Sequence, residues 1–213
     1  MGRLTEIANK YQTDKGTVFA EAHGFTEFYE PFWDKYIGKE DLTILEIGVY
    51  TGDSLKTINE FFGGKCEIHG LDINFEKCCD FEEDNIFLHI CNQGSETSIK
   101  KFLKEVNEKK FDIIIDDGSH NFSDQMTSLY YFKDYVKDDG IYIIEDLHTS
   151  LLNPGMMTDS TLFFLDFAED TCWLTEEQNK EIKDAINYVI IFNRNNPRGY
   201  ANDRSITSVI KFK

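Results

Sequence analysis

Proline is scarce. Three prolines in 213 residues, with no internal repeat and no low-complexity stretch, leave no linker that would divide the chain. Positive charge is scarce too: 22 Lys and Arg face 39 Asp and Glu, a formal net charge of −17. Such a chain repels phosphate backbones and anionic membrane surfaces, and no dense Lys/Arg cluster offsets the imbalance, which excludes a nucleic-acid partner. No apolar run approaches the roughly 20 residues that span a bilayer, so no membrane insertion is expected. Met1 to Glu6 has no apolar stretch of the secretory kind, and Glu6 stands where a myristoylation motif after Gly2 wants Ser or Thr. A cytoplasmic location is the expectation. The five cysteines, including the adjacent Cys78 and Cys79, form no Cys-x-x-Cys pair and suit reduced thiols.

Apolar material is plentiful. Hydrophobic residues make up 41% and aromatics 14%, with 18 Phe and 10 Tyr, enough for a sizeable core. The first forty residues are polar and aromatic with weak periodicity and read as a helical cap plus loop. From Leu42 onward strand and helix signals alternate. Leu42–Ile47, Cys66–Ile73, Asn85–Cys91, Phe111–Ile115 and Gly140–Ile144 read as strands. Phe111–Ile115 and Gly140–Ile144 are nearly continuously apolar, as strands covered on both faces are. Helical spacing fills Asp53–Phe62, Glu96–Lys109, Phe122–Val136, Asp159–Asp170 and Thr175–Ala185. Tyr188–Phe192 and Ile206–Phe212 read as two closing antiparallel strands, joined by a polar loop with Pro197 and Arg198. The alternation predicts an α/β protein with a parallel sheet, whose ligands bind beyond the carboxyl ends of the strands.

Those strand ends carry the chemistry. The first ends Glu46-Ile47-Gly48-Val49-Tyr50-Thr51-Gly52-Asp53-Ser54, a G-x-x-x-G turn in place of the G-x-G-x-x-G of dinucleotide sites. The second ends at Asp72, 26 residues past Glu46, where a carboxylate can take both hydroxyls of a ribose or simply cap a helix. The third ends Asn92-Gln93, whose amides suit an adenine edge. The fourth ends Asp116-Asp117-Gly118-Ser119-His120 and the fifth Glu145-Asp146-Leu147-His148. Four carboxylates on neighbouring strand ends repel unless neutralised, and neither segment holds a Lys or Arg. A divalent cation with oxygen ligands, Mg²⁺ before zinc or copper, answers that need, although each acid alone also suits a solvated turn.

Glu46, Gly48, Gly52 and Asp72 together resemble the donor loop and strand-two acid of class I S-adenosylmethionine-dependent methyltransferases. The Asp-Asp-Gly-Ser-His ending, the Glu145-Asp146 pair, Thr13-Asp14-Lys15-Gly16, His23 and Phe25-Thr26-Glu27-Phe28-Tyr29 narrow this to the metal-dependent sugar O-methyltransferases of the macrocin and mycinamicin type. The resemblance runs from about residue 11 to 150. It implies a Rossmann-like seven-stranded, mostly parallel sheet with an antiparallel closing strand. Residues 1–40 would form a cap or lid and 41–213 the methyltransferase domain. It further implies S-adenosylmethionine held by Glu46, Gly48, Tyr50, Gly52, Ser54, Asp72, Asn92, Gln93 and Asp116, Mg²⁺ held by Asp117, Glu145 and Asp146, and catalysis by His120 with Asp117.

The implied reaction is methyl transfer to a sugar hydroxyl, the acceptor being a small-molecule or nucleotide-linked sugar, a surface glycan or a glycosylated natural product. Two adjacent hydroxyls can chelate Mg²⁺, and His120 would take the proton. A catechol-type O-methyltransferase and a non-catalytic donor-binding protein of the same fold are the competing readings. His148 and His23 are secondary candidates beside ordinary loop roles. Phe25, Phe28, Tyr29, Phe32 and Trp33 are expected to be exposed and to cover either the site or a partner subunit, with a homodimer the simplest assembly.

Overall fold

The computed structural model describes residues 1–18, 22–78, 81, 83–151, 159–195 and 204–213. Cys79, Pro197 and Arg198 lie outside them. The chain opens with two helices, α1 (Arg3–Tyr11) and α2 (Thr26–Trp33). Five strands alternating with helices follow: β1 (Thr43–Ile47), α3 (Asp53–Phe61), β2 (Glu67–Asp72), β3 (Ile86–Ile90), α4 (Glu96–Glu105), β4 (Phe111–Asp116), α5 (Phe122–Phe132) and β5 (Val136–Ile144). A 3-10 turn (Leu147–Leu151), α6 (Thr161–Phe167), α7 (Glu176–Ala185), β6 (Ile186–Asn195) and β7 (Arg204–Phe212) close it.

The seven strands form one sheet in the order β3-β2-β1-β4-β5-β7-β6. β1 to β5 pair in parallel, and β7 runs antiparallel to both β5 and β6. The expected Rossmann-like sheet with an antiparallel closing strand is therefore present. The chain moves outward from β1 to β3 and then returns to lay β4 on the other side of β1. That reversal opens a crevice at the carboxyl ends of β1 and β4.

Strand alternation splits the core into two layers. Leu45, Ile47, Ile114, Tyr142 and Ile144 face one layer, with Phe102 of α4 and Leu129 and Phe132 of α5. Ile44, Ile113, Ile115, Ile141 and Ile143 face the other, with α1, α2 and α3. β1 and β4 are buried along their whole length, which is why their sequences are near-continuous apolar runs. Each such aliphatic side chain contributes about 1.5–3 kcal/mol by leaving water.

The N-terminal aromatics correct one expectation. Phe25, Tyr29 and Trp33 recur every four residues along one face of α2 and are fully buried in the second layer. Their rings stack in series, with centroids 6.2 and 5.7 Å apart, and Trp33 continues onto Phe61 and Phe62. Phe28 and Phe32 pack on Phe192 of β6 at 4.5 and 6.0 Å. The Phe25–Tyr29–Trp33 stripe is internal packing, and Phe28 and Phe32 are half-buried. Among the described residues no helix is long and apolar enough to cross a membrane.

Candidate active site

A cavity of about 930 Å³ lies over the crevice between β1 and β4. Its floor depends on Gly48, which has φ +88° and sits so close to the β4 turn that a Cβ there would lie 2.0 Å from the Asp117 carbonyl oxygen. Any side chain would drive the two loops apart, so glycine is required by contact as well as by conformation. Asp72 straps the same loop. Its Oδ2 accepts the backbone N–H groups of Val49 at 2.9 Å and Tyr50 at 3.1 Å, and its Oδ1 accepts that of Asn74 at 3.3 Å. Tyr50 is thereby held at φ +48°, with its exposed ring under Lys77.

The third and fourth strand ends are tied together by Gln93. Its Nε2 donates to Asp116 Oδ1 at 2.9 Å, and its Oε1 accepts the Ser119 N–H at 2.7 Å. Asp116 is fully buried, and the hydroxyls of Ser128 and Tyr142 also donate to it. Burial raises its pKa above the ordinary value, against those hydrogen bonds. Asp116 thus fixes Gln93 from behind and does not line the cavity.

The acidic ends of β4 and β5 hold a partner that neither segment contains. Lys15 comes in from the N-terminal loop, is buried, and donates to Asp117 and, at 2.7 Å, to Glu145; Glu46 lies 3.8 Å away. Burial alone would lower the Lys15 pKa. The carboxylates of Asp117, Glu145, Asp14 and Glu46 outweigh it and hold the ammonium charged, well above the usual lysine value. Glu145 is turned inward: Oε2 accepts from Lys15, and Oε1 accepts from the Tyr29 hydroxyl at 2.8 Å. Burial pushes Glu46 up to about 7, opposed by Lys15 and by the hydroxyl of Ser54. It pushes Asp117 up to about 6, also against Lys15. Neither strand-end segment holds a Lys or Arg, and the structure brings Lys15 to two of their four acids, Asp117 and Glu145, from the N-terminal loop.

Asp146 is the acid Lys15 does not reach. It sits at φ +54°, an uncommon conformation for a non-glycine residue. Its Oδ2 lies 3.4 Å from His120 Nε2, and its Oδ1 lies 3.8 Å from His23 Nε2 and 3.5 Å from His148 Nδ1. Among the described residues, two sets of donor atoms converge within 4.8 Å: Asp117 with His120 and Asp146, and His23 with Asp146 and His148. The first faces the cavity. The hard carboxylates of Asp117 and Asp146, converging on the cavity with His120 beside them, fit a divalent cation such as Mg²⁺. Glu145 belongs to neither set.

Of the residues expected at the donor site, Gly48, Tyr50, Ser54, Asp72, Asn92 and Gln93 line the cavity. Glu46, Gly52 and Asp116 stand behind it: Glu46 accepts from Ser54, and Gly52, at φ +84°, opens α3. Asp117, His120 and Asp146 line its other end. Sequence reasoning missed Lys15 as the internal counter-charge, and Thr13, Asp14, Ser119 and Asp124 as lining residues. The Thr13–Gly16 motif was the available signal for the first three of those positions, but nothing local tied it to strand ends more than a hundred residues away.

No protein-family model matches the chain. A demethylmacrocin O-methyltransferase of Streptomyces fradiae is 32% identical over 74% of this chain. A mycinamicin VI 2''-O-methyltransferase of Micromonospora griseorubida is 31% identical over 69% of it. The chain spans less than two fifths of the length of these relatives, 39% and 36%. The MycE methyltransferase of the mycinamycin pathway, solved with Mg, S-adenosylhomocysteine and mycinamycin VI, superposes with a TM-score of 0.75 at 23% identity. That match covers 99% of this chain and 54% of the other. An S-adenosylmethionine-dependent methyltransferase from Anabaena variabilis matches with a TM-score of 0.55 at 14% identity, over 100% of this chain and 96% of that one. The chain has the class I methyltransferase fold and is related in sequence to the sugar O-methyltransferases of the macrocin and mycinamicin type.

Proposed function

We propose that the chain is an S-adenosylmethionine-dependent, Mg²⁺-dependent O-methyltransferase acting on a sugar hydroxyl of a glycosylated natural product. The observation that carries this reading is the convergence of Asp117, His120 and Asp146 on one wall of a cavity whose other wall is the Gly48 loop with Asp72. Sequence relatives that methylate sugars support the acceptor class.

On the donor side, Asp72 Oδ1 accepts the ribose hydroxyls while Oδ2 keeps the loop strapped. Gln93 is already committed to Asp116 and Ser119, so Asn92 is the amide that meets the purine edge; its Oδ1 accepts the Gly94 N–H and leaves Nδ2 to donate. On the acceptor side, Asp117 and Asp146 would hold the cation, with Glu145 available once released from Lys15. S-adenosylmethionine would supply an activated methyl group, and a divalent ion would supply Lewis acidity toward the acceptor hydroxyl. His120, whose Nδ1 is buried without a hydrogen-bond partner among the described residues, takes the hydroxyl proton. Lys15 keeps the cluster from carrying several unbalanced charges when no cation is bound.

The test is labelled-methyl transfer from S-adenosylmethionine, with Mg²⁺, to glycosylated macrolides, nucleotide sugars and catechols. Labelling of sugar-bearing acceptors supports the proposal. Labelling of catechols alone, or of no acceptor while adenosylhomocysteine still binds, overturns it in favour of one of the competing readings.

A further inference from the structure

His23 and His148 are not needed for the reaction above, and neither lines the cavity. Yet they are the most deliberately placed side chains behind it. His23 comes from the loop before α2 and His148 from the turn after β5, 125 residues later. Both are buried, at 6% and 4% exposure. Their rings stack on each other with centroids 5.3 Å apart, and His23 is backed by Phe25 at 4.9 Å. His23 Nδ1 is hydrogen-bonded to Ser205 Oγ of β7 at 2.8 Å, which aims Nε2 at Asp146. Metal-ligating histidines are oriented in this way, one ring nitrogen held by an outer partner and the other presented.

The presented atoms are His23 Nε2, His148 Nδ1 and Asp146 Oδ1. All lie within 4.8 Å of one another, with the carboxylate oxygen 3.8 and 3.5 Å from the two nitrogens. Ligand atoms about 2.1 Å from a tetrahedral ion sit roughly 3.4 Å apart, so the spacing needs only small adjustment. Asp146 Oδ1 and His148 Nδ1 are both buried and have no hydrogen-bond partner among the described residues. Buried polar atoms are ordinarily hydrogen-bonded, so an unpaired carboxylate oxygen 3.5 Å from an unpaired ring nitrogen needs an account. The backbone of Asp146 is held at φ +54°, which divides its carboxylate between two environments: Oδ2 toward His120 and the cavity, Oδ1 toward the buried histidines.

We infer that His23, Asp146 and His148 form a binding site for a transition-metal dication such as Zn²⁺ or Co²⁺, separate from the hard-cation site on the cavity side of Asp146. Two imidazoles and one carboxylate select Zn²⁺, Co²⁺, Ni²⁺ or Fe²⁺ over Mg²⁺. The ion fixes Asp146 from behind, so Oδ2 is presented to the cavity in one orientation. The inference goes beyond the proposed methyl transfer and does not depend on it.

The probe is Co²⁺ alone, added to the metal-stripped full chain in excess Mg²⁺. The site predicts saturable uptake of one Co²⁺, visible d–d absorption, and paramagnetic shifts of the His23 and His148 ring resonances but not of those of His69 and His89. His23→Gln and His148→Gln should each weaken Co²⁺ binding at least about ten-fold, whereas Asp117→Asn should keep the absorption band. Circular dichroism melts establish that the variants fold, and the ring resonances of the unaltered chain decide the matter if they do not. Unperturbed His23 and His148 resonances, or Co²⁺ binding abolished by Asp117→Asn and untouched by both histidine variants, would overturn the site. So would Co²⁺ fully displaced by Mg²⁺, which would place the ion among the cavity-side carboxylates.

Discussion

The two ends of the cavity are built from the same kind of residue, acids at the ends of parallel strands, but they are held in different ways. On the β1–β3 side, Asp72 is satisfied by three backbone N–H groups from within 23 residues, and its neighbour network of Gln93, Asp116 and Ser128 also uses short-range, uncharged partners. On the β4–β5 side, Asp117 and Glu145 are balanced by Lys15, which lies 102 and 130 residues earlier, and Asp146 faces histidines from three separate segments. The first end is a local construction. The second exists only when the N-terminal segment docks on the sheet.

Lys15→Met separates the two most sharply. Removing one partner of a buried charge cluster leaves Asp117 and Glu145 uncompensated and should cost about 3–5 kcal/mol of stability without metal, read by chemical denaturation. Mg²⁺ should restore much of the loss and bind the variant more tightly than the native chain, since a repelling cation is gone. Equal stability with and without Lys15 would remove it from the account.

The next largest effect belongs to the proton acceptor. His120→Ala should lower kcat by roughly 10²–10⁴ and leave adenosylhomocysteine affinity within about two-fold, because the proton acceptor is not among the residues proposed to hold the donor. On the local end, Asp72→Ala should weaken adenosylhomocysteine binding by about 1.5–3 kcal/mol for each charge-assisted hydrogen bond lost, measured by calorimetry. Asp146→Asn should not change that affinity, and should reduce turnover in a way that raised Mg²⁺ partly recovers.

The smallest effect is a pH dependence carried by two raised acids beside Lys15, Glu46 of β1 and Asp117 after β4. Glu46 is shifted upward from 4.5 to about 7 by burial against the opposing pull of Lys15. A raised carboxyl pKa means that the folded chain holds the proton more tightly. Its stabilising contribution is complete below 4.5 and disappears as the pH climbs through about 7. Asp117, raised from 3.8 to about 6, acts in the same direction. Metal-free protein should therefore melt at a lower temperature as the pH rises across that window, by about 2–4 °C for each kcal/mol lost, and Glu46→Gln should flatten the trend.

The same contrast explains what the sequence made legible. The strand–helix alternation, the antiparallel closing pair, Gly48 and Asp72 rest on short-range signals: apolar runs, glycine spacing, an acid at a strand end. Helices such as Glu96–Glu105 and Phe122–Phe132 end earlier than periodicity suggested, because Val106 and Lys133–Tyr135 leave the α-helical path while still packing inward. Lys15 was visible only as part of a motif, since charge pairing across the fold leaves no local pattern. Glu145 was read with Asp146 as a pair of acids, and no local signal showed that its carboxylate would meet Lys15 and the Tyr29 hydroxyl. The α2 aromatics looked exposed because an eight-residue amphipathic helix rich in rings does not announce which layer covers it.

The most direct test of the account is methyl transfer at saturating S-adenosylmethionine, to an acceptor that the screen identifies, in Mg²⁺ and in excess EDTA. Saturating donor removes the local end from the comparison, so only the acid end is being read. The account predicts that EDTA abolishes transfer and that Mg²⁺ returns it. Undiminished transfer in EDTA would contradict it and leave Lys15, not a metal, as the only cation the acids need.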